Sequence, residues 1–143
     1  MEKLLISACL VGENCRYDGK NCFHPLIEKL KAKYELILIC PEYMGGLAIP
    51  RAPSERRDGM VVSSKGVDVS VEYEIGAKLS LFLARENNVV GAVLKEKSPS
   101  CGTHFIYDGT FSHVLIEGMG VAAELLHKHH IPVYSEDQIE ELL

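Results

Sequence analysis

Four short, unbroken apolar runs set the limits on how this chain can fold: Leu4–Ala8, Glu35–Ile39, Val89–Leu94 and Ile131–Tyr134. Each is rich in Leu, Ile and Val and lacks polar alternation, the pattern of strands covered on both faces. Helical periodicity fills the intervals. Pro25 suits a first helical turn, and Ile27, Leu30 and Tyr34 follow at helical spacing. A longer helix is predicted from Ser70 to Asn87, with Ile75, Leu79, Phe82 and Leu83 as its buried face. A third runs from Met119 to His129 over Val121, Ala122, Leu125 and Leu126. The last opens at Ser135-Glu136-Asp137-Gln138, a capping box. Strands alternating with helices require right-handed crossovers. The expected fold is an α/β, three-layer, mainly parallel Rossmann-like sheet with helices on both faces, one domain over 1–143.

Two stretches break the rhythm. Pro41–Gly66 is rich in Gly, Pro and Arg, and Lys95–His113 is similar, except that Phe105-Ile106-Tyr107-Asp108-Gly109-Thr110-Phe111 reads as a hairpin around Asp-Gly. Loops of this length in a compact domain are functional or disordered, and both are expected to serve an active site. The net charge of −5, with no basic stripe, argues against a nucleic-acid backbone as partner. The first apolar run is too short to span a membrane and lacks the flanks of a signal peptide. A cytoplasmic protein with reduced thiols is therefore expected, and its five cysteines are metal ligands, catalytic thiols or core residues rather than disulfides.

Cys9 and Cys40 end the first two runs, and Cys101 follows the third within Ser98-Pro99-Ser100-Cys101-Gly102. In an open parallel sheet the strand carboxyl ends share one edge, where ligands bind. A buried structural thiol is the ordinary reading of any one of them, but three at three strand ends favour a shared metal site. Structural zinc takes four protein ligands, whereas an iron–sulfur cluster can take three thiolates and keep one iron open. The donor types alone leave both metals in play. Cys15 and Cys22, on either side of Arg16-Tyr17-Asp18-Gly19, read as spare thiols or core residues.

Ile6-Ser7-Ala8-Cys9-Leu10, Cys15-Arg16-Tyr17-Asp18-Gly19, Cys40-Pro41-Glu42, Gly45-Gly46-Leu47, Pro50-Arg51, Ser98-Pro99-Ser100-Cys101-Gly102 and Ile106-Tyr107-Asp108-Gly109-Thr110-Phe111, in this order, resemble the bacterial family that contains the 2-thiouracil desulfidases. The resemblance implies a 4Fe-4S cluster on Cys9, Cys40 and Cys101 with one iron not ligated by protein. It also implies catalytic roles for Glu42 and Ser98. The expected reaction is non-redox hydrolysis of a thiolated nucleobase such as 2-thiouracil to uracil and hydrogen sulfide. A thiocarbonyl sulfur is soft and suits a soft metal centre, Glu42 is the expected general base, and Ser98 a hydrogen-bonding or proton-relay group. The rival is a non-catalytic 4Fe-4S protein that transfers sulfide or senses iron or oxygen.

Without the resemblance, Ser98 and Ser100 are equivalent candidates, and Glu42 is set apart only by Pro41, which restricts the backbone before it. Gly45-Gly46 points to close backbone approach or positive φ. Met44 is the one departure from the family pattern, placed at the pocket wall. Arg16, Arg51 and Arg56 either balance charge at the site or tie loops together. Asp18 and Asp108 read as Asx-turn residues, His127, His129 and His130 as a helix C-terminus, and Tyr107 as a pocket neighbour. The expected partner is a small molecule, with no membrane, and the chain a monomer or weak dimer.

Overall fold

A computed structural model describes all 143 residues. In chain order the elements are β1 (Lys3–Ser7), a 3-10 turn (Ala8–Val11), α1 (Ile27–Lys33), β2 (Glu35–Ile39), α2 (Pro41–Met44), β3 (Ser54–Arg57), β4 (Met60–Ser63), α3 (Ser70–Glu86), β5 (Gly91–Leu94), β6 (Phe105–Tyr107), β7 (Leu115–Glu117), α4 (Val121–Lys128), β8 (Val133–Ser135) and a 3-10 helix (Glu136–Leu142). Four of the strands form a parallel sheet in the order β2-β1-β5-β8. Leu4, Ile6 and Val93 pack on one face with Ile27 and Leu30 of α1 and Ile139 of the C-terminal helix. Leu5, Ala92 and Leu94 pack on the other with Leu81 and Ala84 of α3 and Ala123 and Leu126 of α4. These are the three layers the sequence predicts. No helix is long and apolar enough to cross a membrane.

Burial on both faces holds for the central strands β1 and β5. It does not hold for β2 and β8, which lie at the sheet edges, and Leu38 of β2 is exposed. Pro25 lies in the turn before α1 rather than inside it, and the Ser135–Gln138 capping box is present but opens a 3-10 helix. The stretch Pro41–Gly66 is not all loop. It holds α2 and an antiparallel hairpin in which Arg57 pairs with Met60 across Asp58-Gly59. The second hairpin exists with a wider loop than the Asp-Gly turn suggests, because Tyr107 pairs with Leu115 rather than with a residue next to Gly109.

The largest correction concerns α3. Its buried face is Tyr73, Gly76, Ala77, Ser80, Leu81 and Ala84, while Ile75, Leu79 and Phe82 face outward. The cause is close backbone approach. A Cβ on Gly76 would sit 1.9 Å from the Pro41 carbonyl oxygen, and one on Gly45 would sit 1.9 Å from that of Glu72. Contact this tight demands small residues, so α2 is seated directly on α3.

Candidate active site

The carboxyl ends of β1, β2 and β5 open on one side of the sheet, and a cavity of about 480 Å³ lies there. Cys9 stands in the 3-10 turn after β1, Cys40 caps the N-terminus of α2, and Cys101 lies in the turn after β5. All three line the cavity, as do Cys15 and Cys22. None is in a disulfide. Crossover topology thus brings together thiols far apart in sequence.

The loop after β5 is held on two sides. Amides at the start of α4 bind its carbonyls: Val121 N–H to Pro99 O at 2.9 Å and Ala122 N–H to Ser100 O at 2.9 Å. On the other side stands the buried Glu96. Its Oε1 accepts the amides of Lys97, Thr103, His104 and Phe105 at 2.9–3.2 Å, and its Oε2 accepts the Thr103 hydroxyl at 2.7 Å. Burial works against ionisation of Glu96, but the bonds from Thr103, His104 and Phe105 overcome it and hold the carboxyl at about 2. Sequence reading missed this residue, since nothing local marks a glutamate that folds back on amides seven to nine positions ahead.

Pro41 occupies the first turn of α2 and Glu42 follows it, facing the cavity. Its Oε1 accepts the hydroxyl of the buried Tyr73 on α3. Its Oε2 accepts Ser100 Oγ at 3.3 Å and lies 3.6 Å from Arg51 Nη2. Burial first, and Glu42 second, push the Tyr73 hydroxyl up, so it remains a donor. Ser98 does not touch Glu42. Its Oγ accepts the amides of Ser100 and Cys101 at 3.2 and 3.1 Å and lies 3.0 Å from Ser100 Oγ. A hydroxyl chain therefore runs from Tyr73 through Glu42 and Ser100 to Ser98. Tyr73 and Ser100 are members that sequence reading did not select. Ser100 was visible in the motif, whereas Tyr73 is remote in sequence.

Thiol chemistry suits a soft metal. Burial pushes Cys9 up and Cys101 up to about 11. A hydrogen bond from the Cys15 thiol, with help from the Tyr43 amide and Arg51, lowers Cys40 to about 6, and Cys15 rises in turn. When protonated, Cys40 donates instead to the Cys15 carbonyl at 3.6 Å. Buried thiolates need a positive centre, and metal binding releases their protons. Arg51 donates to the Cys15 carbonyl at 2.9 Å while its buried Nε has no partner, an unmet donor beside the thiols. Three convergent thiolates with this cation fit an iron–sulfur cluster.

The other predicted residues divide. Arg16 lines the cavity and donates to Cys22 Sγ at 3.2 Å while pairing with Asp18 at 3.4 Å. Arg56 is a loop tie, bound to the Met119 carbonyl and to Glu124. Asp18 and Asp108 each accept the amide two residues ahead, as Asx turns do. Tyr107 lines the cavity and meets His113 edge-on. Met44 is not at the wall, because it packs against the core cluster on the α3–α4 side of the sheet. Gly45 meets the Glu72 backbone, and Gly46 has φ +103°. His129 caps α4 and contacts Arg85, away from the cavity.

Fold and site together define an α/β protein with a cysteine-lined cavity at its sheet edge and a half-buried carboxylate in its wall. The family model of the 2-thiouracil desulfurases matches residues 4–138, and the chain belongs to that family. It is 39% identical to the uncharacterized protein YbbK of Bacillus subtilis (strain 168), over 98% of this chain and 99% of that one. Among solved structures it is similar to the [4Fe-4S]-dependent thiouracil desulfidase TudS, with 43% identity and a TM-score of 0.94 over 99% of this chain and 95% of that one.

Proposed function

We propose that this chain, as one domain over residues 1–143, is a 4Fe-4S-dependent desulfidase that converts a thiolated nucleobase such as 2-thiouracil to its oxo form. The observation that carries the reading is the convergence of Cys9, Cys40 and Cys101 on one cavity that Glu42 also lines. These cysteines would hold the cluster, whose protein-free iron supplies a soft Lewis acid for the thiocarbonyl sulfur. Glu42 lines the cavity, while Tyr73 holds its Oε1 and Arg51 balances the charge beside Oε2. From there Glu42 takes a proton from the water that attacks the thiocarbonyl carbon. The Ser98–Ser100 pair links Glu42 to the substrate side of the cavity and moves the proton onward. Water supplies oxygen to the carbon, sulfur leaves as hydrogen sulfide, and no net electrons are needed. Reduced thiols at the site suit a cytoplasmic enzyme acting on a free small molecule.

The test is anaerobic cluster reconstitution followed by measurement of sulfide released from 2-thiouracil and 4-thiouracil. Glu42→Gln is expected to lower kcat about 100- to 10,000-fold with iron content and visible spectrum unchanged. Wild-type activity in that variant removes Glu42 from the mechanism. A cluster-loaded parent that releases no sulfide leaves the sulfide-transfer or sensing reading in its place.

A further inference from the structure

α3 is apolar on both sides. Its inner side holds the site, through Tyr73 to Glu42 and Gly76 against Pro41. Its outer side carries Val71, Ile75, Leu79 and Phe82 at helical spacing, exposed by 62, 44, 41 and 57%. A second apolar stripe, beside the face a helix already buries, is surface that one copy leaves uncovered. We propose that a second copy of this chain covers the stripe, in a two-fold dimer whose α3 helices pack antiparallel.

Charge selects both the occupant and the orientation. Asp68 and Glu74 are exposed near the start of α3, whereas Lys78 and Arg85 lie further along, with Glu86 the one acidic residue after Lys78. An antiparallel pair lays the basic part of each helix across the acidic start of the other and opposes their dipoles. Full overlap of the stripe sets Phe82 of one copy against Val71 of the other, Glu74 beside Lys78, and Arg85 toward Asp68. A parallel pair would superpose like charges. The self-complementary stripe is what an isologous interface requires. Four partly exposed side chains make a patch well below the ~800 Å² per partner of a standard interface. The dimer is therefore weak and concentration-dependent rather than permanent.

Sedimentation of the cluster-loaded chain under anaerobic conditions, from about 1 µM to about 500 µM, tests this. The mass is expected to rise from 15.8 kDa toward twice that value. Ile75→Glu with Phe82→Glu should weaken association at least about 100-fold, with iron content and circular dichroism unchanged. Lys78→Glu alone should weaken it about 10-fold, and adding Glu74→Lys should restore it, because the exchanged pair meets across the two-fold axis. A parent that stays at 15.8 kDa throughout overturns the proposal, as does a dimer indifferent to the Ile75 and Phe82 changes. A charge exchange that restores nothing overturns the antiparallel arrangement. Both charged positions are exposed, so the second pair of variants does not depend on tolerance of glutamate in the stripe.

Discussion

Glu96 is the group on which the Cys101 loop hangs, and replacing it with Gln isolates the contribution of one charge. The carboxylate receives four backbone amides and a hydroxyl, and is held at about 2 against an ordinary 4.5. A carboxyl depressed on folding stabilises the protein above its unfolded pKa and loses that contribution as pH falls toward the folded value. The window here runs from about pH 5 to about pH 2, and the difference amounts to roughly 3 kcal/mol. Glutamine keeps one acceptor for the amides but loses the charge and presents an NH₂ to the Thr103 hydroxyl. At neutral pH the variant should be less stable by roughly 2–3 kcal/mol, or about 8 °C in Tm for a chain of this size. Urea unfolding followed by circular dichroism, with cysteines kept reduced, measures the gap at successive pH values. It should close as the parent is acidified. Asp68 and Asp108, held low by Ser70 and Thr110, titrate in both proteins and drop out of the difference. A gap that stays constant between pH 5 and pH 2 would refute the assignment of that stability to the ionised carboxylate.

The serine pair and the α2–α3 seat give further outcomes. Ser100→Ala removes the link between Glu42 and Ser98 and should lower kcat about 10- to 100-fold with little change in the urea midpoint. Ser98→Ala also strips the acceptor from two amides, and should cost about 1–2 kcal/mol of stability as well as activity. A fully active Ser100→Ala protein breaks the proposed relay. For Gly76→Ala, helix propensity alone predicts a gain of about 1 kcal/mol. The 1.9 Å approach to the Pro41 carbonyl predicts instead a loss of roughly 1–3 kcal/mol and displacement of Glu42. The sign of the urea-midpoint change decides between them.

The parallel sheet was legible because β1 and β5 are buried on both faces and so carry no polar alternation. Convergence of Cys9, Cys40 and Cys101 followed from that topology alone, since strand carboxyl ends share an edge whatever the loop lengths. Less legible was anything set by a side chain reaching across the fold. Tyr73 sits thirty-one positions from Glu42 and binds it only because α2 is seated on α3. Glu96 looks like an ordinary surface charge next to Lys95 and Lys97, and its burial depends on a loop closing over it. The hairpin register at Tyr107–Leu115 was hidden for a similar reason. Asp108 is used in an Asx turn to Thr110, and Glu55 accepts the amides of Gly109 and Phe111, so the loop is anchored elsewhere and widens.

α3 shows why apolar periodicity can point to the wrong side of a helix. Periodicity reports where large apolar side chains recur, and therefore where volume must be filled. The inner face of α3 is filled by backbone: Pro41 lies on Gly76, and Ser80 turns its hydroxyl back to the Gly76 carbonyl at 2.8 Å. Small residues give a weak apolar signal on the face that is most tightly packed. Val71, Ile75, Leu79 and Phe82 give the strong signal on the face that a single chain leaves open. The inner face is buried through close approach within the chain, and the outer face, in the proposed dimer, would be covered by a second copy. On this account the helix that holds Glu42 through Tyr73 also carries the dimer contact. Its inner residues tolerate little added volume, and its outer residues tolerate little added charge.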